Sequence, residues 1–205
     1  RGLGDVYKRQ AIVTVFLKLS LGFVMALFMN SDMYFSRFLK FMSLLPWAMQ
    51  QVAVAVIWKW ILDGNYGYLN FYLQKLGLMH ENISFLSNPG MAFFAASFVD
   101  TWLGLPMVSM IFMAGLSNIN SSLYESAKID GAGIISRFIH ITCPCIKRVF
   151  LVTLTLVSIW TFNSFNVIFV LTGGGPMRST ETLMLKIYEQ AFSKFNLGAA
   201  YALSS

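Results

Sequence analysis

The sequence predicts an all-α membrane protein, a polytopic bundle of transmembrane helices. Three observations carry this prediction: 57% of the 205 residues are hydrophobic, only 12% are charged, and the apolar residues come in long runs. An ordinary globular domain carries about 25% charged residues, so this chain lacks the polar surface of a soluble domain. Only helices and closed barrels satisfy backbone groups in lipid, and these runs are far longer than the strands of about 10 residues that build a barrel.

Four apolar runs are long enough to span a membrane, which takes about 20 mainly apolar residues. A fifth run begins near the last residue of the sequence. We therefore expect about four complete transmembrane helices plus the start of a fifth. The predicted spans are 11–29, 41–62, 91–116 and 149–171, and the last begins at residue 197.

Some of these spans contain residues that disturb an apolar helix. Pro46 and the pair Gln50 and Gln51 interrupt the second span, and Asp100 is an acidic residue inside the third. Lys18 is the one charge in the first span. We expect either that its long side chain reaches outward to the membrane surface or that this charge reflects the altered N-terminus.

The first ten residues, RGLGDVYKRQ, are polar and meet the first apolar run abruptly. This decapeptide resembles a sequence that recurs at the ends of unrelated translated metagenomic fragments. We interpret residues 1–10 as a non-native junction and residues 11–205 as one transmembrane domain. Together with the incomplete fifth run, this predicts that the sequence is a fragment of a longer protein.

The basic character of the chain does not indicate nucleic-acid binding. Its net charge is +6, but the 15 Lys and Arg residues are spread along the sequence with no run longer than two. Cys143 and Cys145 flank a single proline, and His80 and His140 stand alone, so we predict no disulfide framework and no metal site. Nothing in the sequence points to a cofactor.

The distribution of basic residues predicts which links face the cytoplasm. Links on one side, 30–40 and 117–148, hold 6 basic residues in 43, and links on the other side, 63–90 and 172–195, hold 4 in 52. Because cytoplasmic loops are enriched in Lys and Arg, this bias places the 117–148 link in the cytoplasm.

That link, SNINSSLYESAKIDGAGIISRFIHITCPCIKR, has clear local signals. Ser122 and Glu125 have the spacing of a capping box, which predicts a helix from Leu123. Gly131 supplies a left-handed stop after about two turns. A second amphipathic helix follows, with Ile134, Ile135 and Phe138 among its apolar residues, and Pro144 bounds it. Two amphipathic helices joined by a glycine elbow suit docking to a partner protein.

The same link resembles the EAA motif of the membrane subunits of bacterial ABC importers. In that motif, E-A-A is followed after three residues by Gly, and after nine more by Ile, one residue and Leu-Pro. Glu125, Gly131, Ile141 and Pro144 stand at those spacings. Ser126 replaces the first Ala and Cys143 replaces the Leu, and both are small substitutes.

Three further blocks resemble the sugar-type permeases of this family, which include the maltose, glycerol-3-phosphate and multiple-sugar importers. They are LLPWAMQQVAVAVIWKWILDGNYGYLN, IWTFNSFNVIFVLTGGGPMRSTETL and the A-F-x-x-F-x-L-G-x-A run that begins at Ala191. The resemblance covers nearly all of 11–205. It implies a permease domain of the bacterial inner membrane without catalytic activity of its own. It also implies four kinds of partner: an ATP-binding-cassette ATPase dimer, a second permease, an extracytoplasmic solute-binding protein and a sugar-like solute.

The resemblance also implies that the short helix of the 117–148 link couples the permease to the ATPase. From the residues alone, Glu125 caps its own helix or also docks the partner, and Asp130 is a solvated charge or a docking residue. The residues that we assign to ATPase coupling are Glu125, Ala127, Asp130, Gly131, Ala132 and Pro144.

A second group of residues is assigned to the solute path. Asp100 is ionisable within a span, so it serves either the path or the packing between helices. Asn163 and Asn166 lie three residues apart with Trp160 nearby. Amides beside an aromatic ring suit a sugar, although amides also join helices to one another.

The sequence leaves three alternatives open. An EAA permease for another solute, such as phosphate or an amino acid, is disfavoured by the sugar-like block at 160–166. A secondary transporter usually shows inverted repeats and several membrane carboxylates. An intramembrane enzyme needs clustered acid–base groups within the spans. The run TGGGPMRST does not match the phosphate-binding pattern G-x-x-x-x-G-K-[ST], so we predict that this chain does not bind ATP.

Overall fold

The computed structural model describes the backbone of residues 3–31 and 35–204 and the side chains of 8–31 and 36–204. All regular structure in that part of the chain is helical. The helices in order are α1 Leu3–Met29, α2 Phe35–Ala48, α3 Gln51–Ile61, α4 Tyr68–Lys75, α5 Pro89–Ser117, α6 Ser121–Ile129, α7 Ile134–Arg137, α8 Cys143–Phe162, α9 Asn166–Leu171, α10 Leu183–Tyr188 and α11 Leu197–Ser204. Two π-helical turns, Phe138–Thr142 and Glu189–Ser193, complete the set.

Three helical stretches are long and apolar enough to cross a membrane: Lys8–Met29, Pro89–Ser117 and Ile134–Leu171. The pair α2 and α3 passes the same test only when the two are taken together as one broken span. The break falls at the glutamine pair and not at Pro46, since α2 continues through that proline and ends at Ala48. The expected polytopic helical bundle is therefore present.

The chain divides into two compact units. The first unit comprises Arg1–Thr14, Met49–Leu103 and Ile159–Ser205, and the second comprises Val15–Ala48 and Gly104–Ser158. Helices α1, α5 and α8 each contribute residues to both units.

The core of the first unit contains residues of α3, α5 and α9. Val54, Val99 and Leu171 are buried there. The ring of Trp58 packs edge-to-face on Trp102, with 5.7 Å between ring centroids. Aromatic pairs of this geometry contribute about 0.5–1.5 kcal/mol beyond their buried area.

The core of the second unit contains residues of α1, α5 and α8. Phe112 is fully buried, and its ring lies edge-to-face with Phe23 at 5.3 Å. Gly22 permits the close approach of α1 and α5, because a β-carbon there would lie 2.6 Å from a methyl group of Val108. A small residue at such a crossing is typical of helices packed within membranes.

Lys18 belongs to the second unit and is only 6% exposed. Its aliphatic stem lies across the backbone of Gly104, where a β-carbon would come within 2.9 Å of Cε. The expectation that Lys18 reaches outward is therefore wrong. A glycine on the neighbouring helix leaves room for the side chain inside the protein, and the sequence around Lys18 does not contain that information.

Candidate functional site

Helix α6 begins two residues earlier than its sequence predicts. The side-chain oxygen of Asn120 accepts a hydrogen bond from the backbone N–H of Ser122 at 3.1 Å, and α6 starts at Ser121. The predicted capping box of Ser122 and Glu125, with a start at Leu123, is therefore wrong. Asn is as good an N-cap as Ser, and Asn120 caps the helix first.

The end of α6 is the predicted left-handed stop. Gly131 has a φ of 76°. Its N–H donates to the carbonyl of Lys128 at 3.1 Å, and the N–H of Ala132 donates to the carbonyl of Ala127 at 2.8 Å. These two bonds form a Schellman motif. The motif satisfies the last carbonyls of α6 and fixes the direction in which the chain leaves the helix.

No residue of α6 is buried in this chain. Glu125 and Asp130 are exposed, while Ala127 and Ala132 are half-buried. Large apolar side chains are also exposed at the elbow: Ile129 is 87% accessible, Ile134 78% and Ile135 75%. We call this the elbow surface, and it consists of Glu125, Lys128, Ile129, Asp130, Ile134 and Ile135. An exposed apolar patch edged by charges is typical of a protein interaction site.

The apolar face of the second predicted helix is only partly buried. Thr142 is buried and Phe138 is half-buried, whereas Ile134 and Ile135 are exposed. Pro144 does not end this helix, contrary to the prediction, because it lies in the first turn of α8. A proline removes one backbone hydrogen bond, and the π-helical turn Phe138–Thr142 immediately before α8 provides the local adjustment.

Tyr124 connects α6 to this π-helical turn. Its hydroxyl lies 2.9 Å from Oγ1 of Thr142, 18 residues away in sequence. Tyr124 is half-buried and Thr142 is buried. The hydrogen bond therefore joins α6 to the residue that precedes α8.

Replacing Tyr124 with Phe is expected to loosen α6 without unfolding the second unit. One hydrogen bond contributes about 0.5–1.5 kcal/mol, so amide exchange in α6 should become about 2- to 10-fold faster. Hydrogen exchange measured by mass spectrometry checks this result. A Thr142→Val variant should give the same change, and the double variant should add little to it. Additive effects of the two substitutions would show that the bond does not restrain α6.

The residues assigned to the solute path lie in the first unit. Asp100 is 9% exposed and accepts a hydrogen bond from Oγ of Ser164 at 3.2 Å. Ser164 lies in the short break between α8 and α9. The sequence interpretation missed Ser164, because a lone serine beside two asparagines has no distinguishing pattern.

Asn163 and Asn166 lie at the same break and are exposed. The amide of Asn163 donates to the carbonyl of Ile159, in the last turn of α8, at 2.8 Å, and the amide of Asn166 donates to Oε1 of Gln51 at 3.1 Å. Trp160 is 43% exposed. Irregular backbone with polar side chains is tolerated at membrane depth where it lines a cavity or is covered by protein.

The cavity beside Asp100 is small. It has about 10 Å³, and Thr161 and Thr182 also line it. That volume holds about one water molecule and no sugar. Among the residues that the structure describes, no three His, Cys, Asp or Glu side chains are grouped to hold a metal ion.

Fold and surface together define a multi-pass helical membrane protein with an exposed helical elbow between two spans. Residues 18–204 match the family described as the binding-protein-dependent transport system inner membrane component. The chain belongs to this family, which places it in the inner membrane.

Named relatives agree with this assignment. A probable ABC transporter permease protein of Brucella suis is 37% identical over 91% of this chain and 64% of its own length. The trehalose/maltose transport system permease protein MalF of Thermococcus litoralis is 37% identical over 92% of this chain and 62% of its own length. The chain thus spans less than two thirds of these relatives.

A solved structure has the same fold. The crystal structure of a bacterial ABC transporter involved in the import of the acidic polysaccharide alginate aligns with a TM-score of 0.83 and 22% identity. The alignment covers 100% of this chain and 73% of the other. The expected importer-permease architecture is confirmed by this similarity.

Proposed function

We propose that this chain is the membrane-spanning permease subunit of an ATP-binding-cassette importer that carries a sugar or sugar-like solute inward. Membership of the family supports the transport role, and the relative named for trehalose and maltose supports the sugar class. The chain itself catalyses no reaction, and ATP hydrolysis takes place in a separate subunit. An extracytoplasmic binding protein delivers the solute, and a second permease completes the pathway.

The observation that carries this proposal is the elbow surface. Its apolar part consists of the exposed side chains of Ile129, Ile134 and Ile135. An apolar patch of this kind in a loop outside the membrane is typical of a surface that a partner protein covers. Glu125, Lys128 and Asp130 supply charges of both signs beside it, which give such an interface its orientation. The proposed occupant is the ATPase subunit, and the 117–148 link lies in the cytoplasm.

Coupling follows from how α6 is held. The Schellman motif at Gly131 fixes one end of the helix, and the Tyr124–Thr142 hydrogen bond joins its middle to the start of α8. A displacement of α6 by the ATPase would therefore be transmitted to α8, the helix that carries Trp160 towards the break at Asn163. Ala127 and Ala132, which are half-buried, and Pro144, in the first turn of α8, belong to the same proposed coupling element.

In the proposed solute path, Asn163, Asn166 and Trp160 offer amide and aromatic groups to solute hydroxyls. Asp100 acts through Ser164. Its carboxylate accepts a hydrogen bond from the Ser164 hydroxyl and so restrains the break between α8 and α9. The bilayer surrounds the spans, and no nucleic acid takes part.

Uptake into proteoliposomes tests this function. The chain, reconstituted with the ATPase, the second permease and the binding protein of its transport system, should accumulate labelled disaccharide in an ATP-dependent manner. Accumulation of phosphate or an amino acid in place of a sugar would contradict the sugar class. ATP-independent accumulation driven by an ion gradient would contradict the whole assignment.

Asn163→Leu is expected to reduce uptake about tenfold while leaving assembly unchanged, because a lost polar contact to the solute is worth about 1.4 kcal/mol. Thr155→Val in α8 is the control, since the Thr155 hydroxyl also donates to a backbone carbonyl one turn earlier and Thr155 is exposed. The measurement is initial uptake rate against complex yield. Equal rates for the two variants would remove Asn163 from the path.

A further inference from the structure

Two grooves of different chemistry border the N-terminal end of α8 in the second unit. The polar groove has a volume of about 700 Å³ and is lined by Asn118, Lys147 and Arg148, with apolar groups from Ile119 and Val149. Both cations are exposed. The residues that line this groove include no Asp or Glu.

The apolar groove has a volume of about 370 Å³. Phe16, Phe23, Ile146 and Phe150 line it. Lys147 lines both grooves, so the two meet at its side chain. A cationic groove and an apolar groove thus share one side chain.

The placement of the grooves along the helices matches the two parts of a phospholipid. Phe16 and Phe23 lie within the stretch Lys8–Met29, which is long and apolar enough to cross a membrane. Asn118 follows the last residue of α5, Ser117, at the end of another such stretch. The apolar groove therefore runs beside a span, and the polar groove includes residues that follow the end of another span.

The two positive charges of the polar groove favour an anionic lipid headgroup. The planar guanidinium of Arg148 can donate two parallel N–H hydrogen bonds to a phosphate, and the ammonium of Lys147 adds a second positive charge. Basic sites between transmembrane helices on the cytoplasmic side attract anionic lipids of that leaflet. A soluble partner protein could reach the polar groove but not the apolar groove along a membrane span.

We propose that this double groove binds one anionic phospholipid, with its phosphate at Lys147 and Arg148 and an acyl chain along Phe16 and Phe150. The proposal rests on the cytoplasmic placement of the 117–148 link in the proposed function. It adds a lipid to the set of molecules that contact the chain, next to the elbow surface.

Native mass spectrometry of the full purified chain tests the proposal. The chain is exchanged into mixed micelles with equal amounts of phosphatidylglycerol and phosphatidylcholine. One phosphatidylglycerol should be retained, with a preference of about tenfold or more over phosphatidylcholine. The double variant Lys147→Ala/Arg148→Ala should lose this preference. The control Lys75→Ala/Arg178→Ala removes two exposed charges elsewhere and should keep it.

Ser20→Leu tests the acyl-chain half of the site, because Ser20 also lines the apolar groove. This variant should retain phosphatidylglycerol about threefold less well, and its helical circular dichroism should match that of the unchanged chain. Equal retention in the two double variants would overturn the proposal. So would displacement of the lipid by inorganic phosphate alone, or a dimer of the chain that excludes lipid. No ATPase is present in these measurements, so their failure leaves the coupling experiments standing.

Discussion

Gly131→Val is expected to abolish most of the ATP-driven uptake while the protein still inserts and folds. Gly131 has a φ of 76°, and a β-carbon there would meet nothing within 4 Å. The effect therefore comes from backbone conformation and not from crowding. A left-handed conformation costs about 1–2 kcal/mol for most residues and more for a β-branched one, so the Schellman motif should open and α6 should lose its fixed direction.

The measurements are uptake and binding-protein-stimulated ATPase activity in the same proteoliposomes. Uptake should fall about tenfold or more, since 1.4 kcal/mol corresponds to a factor of ten, while basal ATP hydrolysis continues. Gly131→Asn is the matched control, because Asn tolerates the left-handed region; it should retain most coupling. Gly133→Val is a second control, because Gly133 also lies in the elbow but has a negative φ of −67°. Normal coupling in Gly131→Val would refute the role of the elbow.

The second large effect is expected for Ile129→Asp, which should weaken binding of the ATPase subunit. Ile129 is 87% exposed in the chain alone, so the substitution removes no buried contact and should not destabilise the fold. At the centre of an interface, the loss of such an apolar anchor costs about 2 kcal/mol or more. The affinity should fall about 30-fold, measured by surface plasmon resonance with the solubilised chain on the sensor.

A matched control for Ile129→Asp is Leu76→Asp. Leu76 is 70% exposed and follows α4, outside the elbow surface, so its substitution introduces the same charge at a similarly exposed position. It should leave ATPase affinity unchanged. If both variants bind equally well, the ATPase contacts another surface of the chain.

Local sequence signals predicted much of this elbow correctly. Gly131 predicts a left-handed stop from a local backbone preference, and the structure has it. The start of α6 does not follow from the local sequence in the same way, since Asn120, Ser121 and Ser122 are all acceptable N-caps. Only the hydrogen bond from the N–H of Ser122 to the side-chain oxygen of Asn120 decides among them.

Features that depend on neighbouring helices were not predictable in this way. The burial of Lys18 requires Gly104 of another helix, and the bond between Asp100 and Ser164 joins residues 64 positions apart. The continuation of helix through Pro144 depends on a π-helical turn, which has no distinct sequence signature. Periodicity gave the length and type of the spans, whereas contacts between helices determine what their polar residues do.

The π-helical turn also makes the direction of the elbow depend on the number of residues between α7 and α8. A π turn holds one residue more than an α turn, and each residue of a helix advances the face by about 100°. The turn Phe138–Thr142 thus acts as a one-residue insertion. It rotates α7 relative to α8 by about 100°. Among proteins with this elbow, conservation of its residue count should matter as much as conservation of the residues themselves.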